Sequence, residues 1–274
     1  MTDQDNYSIS SLFGVRGKSA LITGGSSGIG LMIARGLLLN GVKVTIASRK
    51  QEKCDRALTE LTPLGNCDAM VADVTDAQQR HHLVEELTSR TGDAGLDILI
   101  NNAGANWGAE IEDYPDSGFD KVMKTNVNAV FSLTRDLLPL LQQGASPEDP
   151  ARVVNIGSMD GIQVPVVQRV PTFAYSASKA ALHHLTRTLA VDLAHRNITV
   201  NAVAPGFFES RMTDFVLSNF RDDIEADCPL GRIGQPEEMI GIVTYLVSRA
   251  GTYTTGTVIP VDGGTHLGKG VRKA

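Results

Sequence analysis

The sequence is poor in cysteine and has neither an excess of positive charge nor a long hydrophobic run. Its three cysteines are widely spaced over 274 residues, which predicts a reducing compartment and argues against a disulfide framework or a metal site. A formal net charge of −6 argues against nucleic acid as the main partner. Apolar runs stay well below the roughly 20 residues of a membrane-spanning helix. The polar, acidic start Met1–Asn6 does not resemble a signal peptide. We therefore predict a cytoplasmic protein that binds neither nucleic acid nor membrane.

Strand and helix patterns alternate along most of the chain. Predicted strands cover residues 18–23, 42–47, 68–72, 96–100, 152–156, 198–203 and 257–261. Predicted helices cover 28–40, 50–61, 76–90, 117–143, 174–195 and 236–248, with irregular structure or short helices at 207–230. The strands are continuous and rich in Val and Ile, which is typical of parallel strands covered on both faces. The pattern predicts an α/β fold of the Rossmann type, a doubly wound parallel sheet of about seven strands.

We predict one domain, because no linker-like change in composition divides the chain. It is expected to cover residues 18–264, between an N-terminal extension at 1–17 and a C-terminal tail at 265–274. Gly41 stands where a helix C-terminus favours glycine, and Thr75 or Asp76 is expected to cap the helix that follows the third strand.

A glycine-rich turn, Thr23–Gly30, connects the first predicted strand to the first predicted helix. Glycine lets a backbone approach phosphates closely, and the helix N-terminus then faces the anion. The turn therefore predicts a dinucleotide site, although a simple strand–helix turn has the same pattern. The candidate contacts are Gly24, Ser26, Ser27, Gly28, Ile29 and Gly30.

Residues at three further strand ends are candidates for the same site. A NAD-binding protein usually carries an acidic residue after the second strand, where this chain has Ser48 and Arg49. A guanidinium suits the 2′-phosphate of NADP(H), whereas the alternative is a solvated helix start at Arg49 and Lys50. Further candidates are Asp73 and Val74 beside the adenine, and Asn102, Ala103 and Gly104 along the cofactor path.

Tyr175 and Lys179 lie four residues apart in a helical pattern and therefore share one face. A nearby ammonium favours the phenolate and would lower the tyrosine pKa from its usual value near ~10. Ser158, after the fifth strand, can donate a hydrogen bond to a carbonyl oxygen that gains negative charge. Alone, Tyr175 and Lys179 also fit a contact on a helix surface, and Ser158 also fits a helix cap. The order of the glycine turn, Ser158 and the Tyr175–Lys179 pair along the chain, each on the carboxyl side of a strand, favours an acid–base site.

In these motifs the chain resembles the short-chain dehydrogenase/reductase family over residues 18–264. The resemblance implies an NADP-dependent oxidoreductase whose catalytic residues are Asn126, Ser158, Tyr175 and Lys179. It implies that Tyr175 exchanges the proton, Ser158 orients the carbonyl, Lys179 binds the nicotinamide ribose and Asn126 holds a water. The resemblance also implies cofactor contacts at Pro205, Gly206 and Ser210. The chain departs from the family at two of its cofactor residues. Ser210 stands where the family usually has a threonine, and Ser27 stands where many NADP-binding members carry a cation.

Local runs at residues 106–109, 114–118, 155–158 and 210–213 resemble the rhamnolipid-associated β-ketoacyl reductases. The resemblance implies reduction of a 3-oxoacyl thioester or a related ketone. The alternatives are an NAD(P)-dependent alcohol dehydrogenase of a steroid, cyclic ketone or polyol, and a non-catalytic dinucleotide sensor. An intact catalytic set argues against a sensor.

Apolar residues near the site predict a substrate with an apolar portion. They are Trp107, Met159, Val164, Val166, Phe207 and Phe208, with a lid at 207–230 and a further wall at 163–171. The apolar surface of the helices at 117–143 and 174–195 predicts, together with family habit, a homodimer or homotetramer. His183 and His184 lie on the second helix, and we assign them to packing or to the interface, since the sequence offers no metal-ligand spacing.

Overall fold

The computed structural model describes residues 6–165, 171–210 and 212–270. Within these residues the strands form one seven-stranded sheet in the order β3-β2-β1-β4-β5-β6-β7, and every neighbouring pair is parallel. The strands are β1 (Ser19–Thr23), β2 (Lys43–Ser48), β3 (Cys67–Val71), β4 (Ile98–Asn101), β5 (Ala151–Ile156), β6 (Ile198–Pro205) and β7 (Val258–Val261). The strand order changes direction between β1 and β4. This confirms the predicted doubly wound fold and places the ligand crevice at the carboxyl ends of the strands.

Helices cover both faces of the sheet. They are α1 (Ile9–Leu12), α2 (Gly28–Leu39), α3 (Gln51–Leu61), α4 (Ala77–Thr91), α5 (Asp116–Met123), α6 (Ala129–Asp136), α7 (Leu138–Gln143), α8 (Phe173–Leu193), α9 (Asp214–Asp227) and α10 (Pro236–Val247). Successive strand residues point to opposite faces, so Ile22 joins the core under α2 and α10, while Leu21 joins the core under α4, α6 and α8. Burying each such side chain contributes about 1.5–3 kcal/mol.

Two local predictions about helix ends are confirmed. Gly41 follows α2 with a φ of 80°, in the left-handed region that favours glycine. Asp76 rather than Thr75 caps α4, because its side chain accepts a hydrogen bond of 2.9 Å from the Gln79 amide.

Two helix predictions differ from the structure. The predicted helix at 117–143 is divided into α5, a π-helical turn (Lys124–Asn128), α6 and α7, and Pro139 lies in the first turn of α7. Proline fits there because first-turn N–H groups have no intrahelical partner. The lid region at 207–230 is dominated by the fourteen-residue helix α9, which is kinked at Phe220. Its mixed apolar and charged residues gave only a weak helical pattern.

Both ends of the described chain contact the domain. In the N-terminal extension, Val15 is buried and the guanidinium of Arg249 donates hydrogen bonds to the side chains of Asn6 and Ser11. In the C-terminal tail, Lys269 forms an ion pair of 3.6 Å with Asp227 of α9. Among the described residues, no helix has the length and apolar character needed to cross a membrane.

Candidate active site

The glycine turn forms a tight cradle at the carboxyl end of β1. Gly24 and Gly28 have φ values of 65° and 55°, which disfavour other residues. A Cβ on Gly30 would lie 2.4 Å from the Asn102 amide nitrogen and 2.6 Å from the Gly24 carbonyl oxygen. Within the described chain, the Ser27 side chain makes no capping hydrogen bond at the start of α2. The first-turn N–H groups of α2 are therefore suited to an anion.

Asn102 and Thr23 hold the turn in place. The Asn102 side-chain amide donates to the carbonyls of Thr23 and Gly24 at 3.0 and 3.2 Å. The Thr23 hydroxyl accepts from the backbone amides of Asn102 and Ala103, each at 3.0 Å. Asn102 also lines the cleft together with Ala103 and Gly104. Its amide nitrogen is therefore engaged in supporting the phosphate cradle.

The carboxyl end of β2 gives the cleft a cationic end. Ser26 and Ser48 join the glycine turn to this strand through a hydroxyl–hydroxyl hydrogen bond of 2.9 Å. Arg49 and Lys50 line the cleft beside them, and so does Lys53 in the first turn of α3. Lys53 was not predicted. The signal available in the sequence was a third cation close to the same strand end, four residues after Arg49.

The remaining predicted cofactor residues also lie along this cleft, which has a volume of about 290 Å³. Asp73 is oriented by Thr75, whose backbone amide and hydroxyl donate to its carboxylate at 2.9 and 2.8 Å. Ser210 lies opposite the glycine turn, since a Cβ on Gly28 would be 3.1 Å from the Ser210 Cβ. Ile29, Val74, Pro205 and Gly206 complete the lining.

Ser158, Tyr175 and Lys179 meet where the cofactor cleft opens onto a second cavity. Ser158 and Tyr175 line both spaces. The buried Lys179 lies with its Nζ 5.5 Å from the centre of the Tyr175 ring, and this Nζ donates a hydrogen bond of 2.7 Å to the Ile156 carbonyl. These three side chains are thus brought together as the sequence predicts, on the end of β5 and one face of α8.

The protonation of this pair differs from the expectation that Lys179 lowers the tyrosine pKa. Burial raises the pKa of Tyr175 above its usual value, Asp160 raises it further, and a hydrogen bond with Ser158 acts in the opposite direction. Burial lowers the pKa of Lys179 to about 8, against an upward effect of Asp160. In both groups burial is the largest cause, and it disfavours the charged form.

Asn126 lies in the π-helical turn and connects α8 to the loop after β4. Its side-chain oxygen accepts from the Ala105 amide at 2.8 Å, and its nitrogen donates to the Ala105 carbonyl and the Ser178 hydroxyl, each at 2.9 Å. Both amide protons and one oxygen lone pair are therefore engaged. The assignment of a water to Asn126 stays a prediction.

A buried polar ladder supports the catalytic face and was not predicted. Asn101 donates to Thr134 at 3.2 Å and to Asn155 at 2.9 Å, and Asn155 donates to Thr186 at 2.9 Å. These bonds connect β4, β5, α6 and α8. The available signal was an asparagine at or near the end of two otherwise apolar strands, where a buried amide needs partners.

The second cavity, of about 160 Å³, is largely apolar. Met159, Val164 and Phe207 line it as predicted, together with Val216, Phe220 and Ile224 from α9. Gln163 and Pro165 also line it, whereas residues 166–170, including Val166, lie outside the described residues. Arg211 of the run at 210–213 and residues 271–274 of the tail lie outside them as well.

Two predicted substrate residues do not line this cavity. Trp107 packs its ring over Gly118, where a Cβ would be 2.8 Å away, and receives Lys121 at 5.6 Å from its ring centre. Phe208 is buried against Gly234 and lines the cofactor cleft instead. A third cavity of about 660 Å³ is lined partly by Phe207, Phe208 and Cys228, and Tyr175 is not among its lining residues.

Comparison with known proteins shows which family this chain belongs to. Residues 24–266 match the family model described as enoyl-(acyl carrier protein) reductase. The rhamnolipids biosynthesis 3-oxoacyl-[acyl-carrier-protein] reductase of Pseudomonas aeruginosa is 49% identical over 258 residues, covering 93% of this chain and 98% of that protein. A 3-oxoacyl-[acyl-carrier-protein] reductase of Thermotoga maritima is 36% identical over 253 residues, covering 91% and 98%. A solved structure described as the Pseudomonas aeruginosa RhlG/NADP active-site complex aligns with a TM-score of 0.89 and 48% identity, covering 93% of this chain and 99% of that chain.

Proposed function

Because this chain belongs to the short-chain dehydrogenase/reductase family, we propose that it is an NADPH-dependent reductase of a 3-oxoacyl (β-ketoacyl) thioester or a related ketone. The product is the secondary alcohol. The observation that carries the proposal is the meeting of Ser158, Tyr175 and Lys179 between a phosphate cradle with a cationic end and an apolar cavity. The relatives named above support the β-ketoacyl assignment.

The residues of the cleft fit NADP(H). The glycine cradle has no room for a Cβ at Gly30 and presents the start of α2 to the pyrophosphate. Arg49, Lys50 and Lys53 supply positive charge at the end where a 2′-phosphate would bind. We assign the nicotinamide end to the part of the cleft lined by Tyr175, Lys179 and Ser210. NADPH, when bound, supplies the hydride.

The side chains around the carbonyl then have separate tasks. Ser158 orients the carbonyl oxygen and donates a hydrogen bond as negative charge develops there. Tyr175 gives its phenolic proton to the same oxygen, and its raised pKa means that the phenol carries this proton at neutral pH. Lys179 is held by the Ile156 carbonyl and keeps a positive charge beside the tyrosine ring. Asn126 fixes the loop after β4 against α8.

We expect purified protein to oxidise NADPH in the presence of a β-ketoacyl thioester or β-ketoester. The measurement is the loss of NADPH absorbance across a panel that also contains steroids, cyclic ketones and polyols, assayed in both directions. Turnover of a panel member other than a β-ketoacyl compound would establish the alcohol dehydrogenase alternative. Absence of any turnover would refute the proposed function.

Arg49→Ala is expected to raise the KM for NADPH about tenfold or more, since a charge-assisted hydrogen bond contributes roughly 1.5–3 kcal/mol. The KM for NADH should stay the same, because NADH lacks the 2′-phosphate. Arg35→Ala is the matched control, as Arg35 is exposed on α2 and paired with Glu60 at 3.3 Å. If NADH serves as well as NADPH and Arg49→Ala leaves both constants unchanged, the cofactor assignment is wrong.

We also propose a homodimer or homotetramer in the cytoplasm. Phe131 of α6 and Val191 of α8 are exposed, and β7 at the sheet edge is only partly buried along its length. Exposed apolar surface of this kind supports burial against a second copy. Cys54, Cys67 and Cys228 are free and buried, which is consistent with a reducing compartment. The molecular mass in solution, by sedimentation equilibrium, tests the assembly.

A further inference from the structure

Asp160 lies beside the catalytic residues and was not predicted from the sequence. It occupies the 3₁₀ turn Met159–Gly161, directly after Ser158. Its side chain is partly buried, and it lines the apolar cavity together with Ser158 and Tyr175. A carboxyl group in a mostly apolar wall is costly to charge unless a cation faces it.

The turn that carries Asp160 is fixed to the catalytic helix. The Asp160 amide donates to the Ser158 hydroxyl at 3.1 Å, and the Ser176 hydroxyl donates to the Asp160 carbonyl at 2.8 Å. A Cβ on Gly161 would be 2.6 Å from the carbonyl carbon of Lys179, so the turn lies directly on the α8 backbone. Asp160 therefore has little freedom to move away from Tyr175 and Lys179.

Within the described parts of the chain, the charged and titratable groups around Asp160 come from three elements. From α8, Tyr175 and Lys179 both interact electrostatically with its carboxylate. His183, one turn further, is buried, and burial lowers its pKa to about 4, with smaller contributions from Lys179 and from Arg187 beyond it. Asp227 of α9 and Lys269 of the C-terminal tail form an ion pair elsewhere along the cavity wall. Among the residues that the structure describes, Lys179 is thus the cation that acts on the Asp160 carboxylate.

We propose that Asp160 is a positioning residue that sets the protonation equilibria of Tyr175 and Lys179 and thereby the pH range of the reaction. The proposal rests on the proposed function for its kinetic consequences, but the electrostatic interaction can be measured without turnover. Asp160 neither donates the proton nor binds the cofactor. It acts through the two catalytic side chains.

The direction of the effect follows from the charges. Burial raises the pKa of the Asp160 carboxyl to about 6, while Lys179 acts in the opposite direction. Above that pH the carboxylate raises the pKa of Tyr175 and that of Lys179, which keeps the phenol protonated and the amine charged. As the pH falls through about 6 the carboxylate is neutralised, and the pKa values of both partners fall.

The kinetic test is Asp160→Asn, which keeps the size of the side chain and removes its charge. In the pH profile of kcat/KM for ketone reduction at saturating NADPH, the alkaline decline should move to lower pH by about half a unit or more. Asp160→Glu should restore part of the shift. Asp68→Asn is the matched control, because Asp68 is paired with Arg90 at 3.7 Å and lines neither the cofactor cleft nor the apolar cavity, and its profile should coincide with that of the unmodified protein.

A second measurement does not depend on activity. An NMR titration of the full chain carrying isotope-labelled lysine should show Lys179, assigned by loss of its signal in Lys179→Arg, titrating near the pKa of about 8 and at lower pH in Asp160→Asn. The proposal is wrong if Lys179 titrates at the same pH in the unmodified protein and in a folded Asp160→Asn protein. It is also wrong if the variant loses activity equally at every pH, since that result indicates a structural role. If no carbonyl is turned over, the proposed function fails while the titration still decides the role of Asp160.

Discussion

Tyr175→Phe is expected to lower kcat by about 10²–10⁴-fold, the usual contribution of a positioned general acid. The substitution removes only the phenolic oxygen, so the ring beside the Lys179 amine and the packing of α8 should persist. The dissociation constant for NADPH should therefore change little. Single-turnover kinetics measures the hydride step, and fluorescence titration measures cofactor binding.

Tyr245→Phe is the matched control for this result. Tyr245 lies in α10, where its hydroxyl forms a hydrogen bond of 2.8 Å with Thr254 and does not line the cofactor cleft. Its loss should cost about 1 kcal/mol of unfolding free energy and leave kcat unchanged. If Tyr175→Phe retains normal turnover, Tyr175 is not the proton donor. If it abolishes NADPH binding as well, the substitution has damaged the fold instead.

Gly30→Ala is expected to weaken NADPH binding by between about fivefold and 150-fold, since overpacking of a rigid site costs about 1–3 kcal/mol. The added Cβ would lie 2.4 Å from the Asn102 amide nitrogen and 2.6 Å from the Gly24 carbonyl oxygen. Both atoms belong to the clamp that holds the cradle. The turn must therefore open, which moves the backbone that faces the pyrophosphate. Isothermal titration calorimetry with NADPH measures the effect.

Gly241→Ala provides the comparison for Gly30→Ala. Gly241 also lies inside a helix, but nothing lies within 4 Å of a Cβ placed there. This variant should be more stable by about 0.4–1 kcal/mol and bind NADPH normally. A Gly30→Ala protein with unchanged affinity and a lowered melting temperature would show that Gly30 serves packing and not the cofactor.

The sheet could be predicted from the sequence because the pattern that identifies each strand lies within a few consecutive residues. Runs such as Leu96–Ile100 identify buried parallel strands, and strict alternation with helices leaves few topologies. The division of the helix predicted at 117–143 could not be predicted from the sequence. The π-helical turn depends on the partners of Asn126, which come from residues 105 and 178. Contacts between distant segments of this kind leave no periodic signal.

The site was predictable as far as its side chains follow strand ends. Ser158 and the glycine turn stand at such positions, Tyr175 and Lys179 share one face of α8, and the structure brings all of them to one cleft. Two features of the site could not be predicted from the sequence. The placement of Trp107 over Gly118 depends on how the loop after β4 folds back on α5. The raised pKa of Tyr175 depends on how much water the surrounding walls exclude, which residue spacing does not report.

The π-helical turn at Lys124–Asn128 restricts how many residues the segment from α5 to α7 can have. Such a turn carries one residue more than an α-helical turn over the same path. Deleting one residue inside it would restore regular α-helical hydrogen bonding over that path and remove the wide turn that carries Asn126. Asn126 would then leave Ala105 and Ser178. Insertions and deletions between α5 and α7, in this enzyme or in chimaeras made from it, should therefore separate Asn126 from the loop after β4.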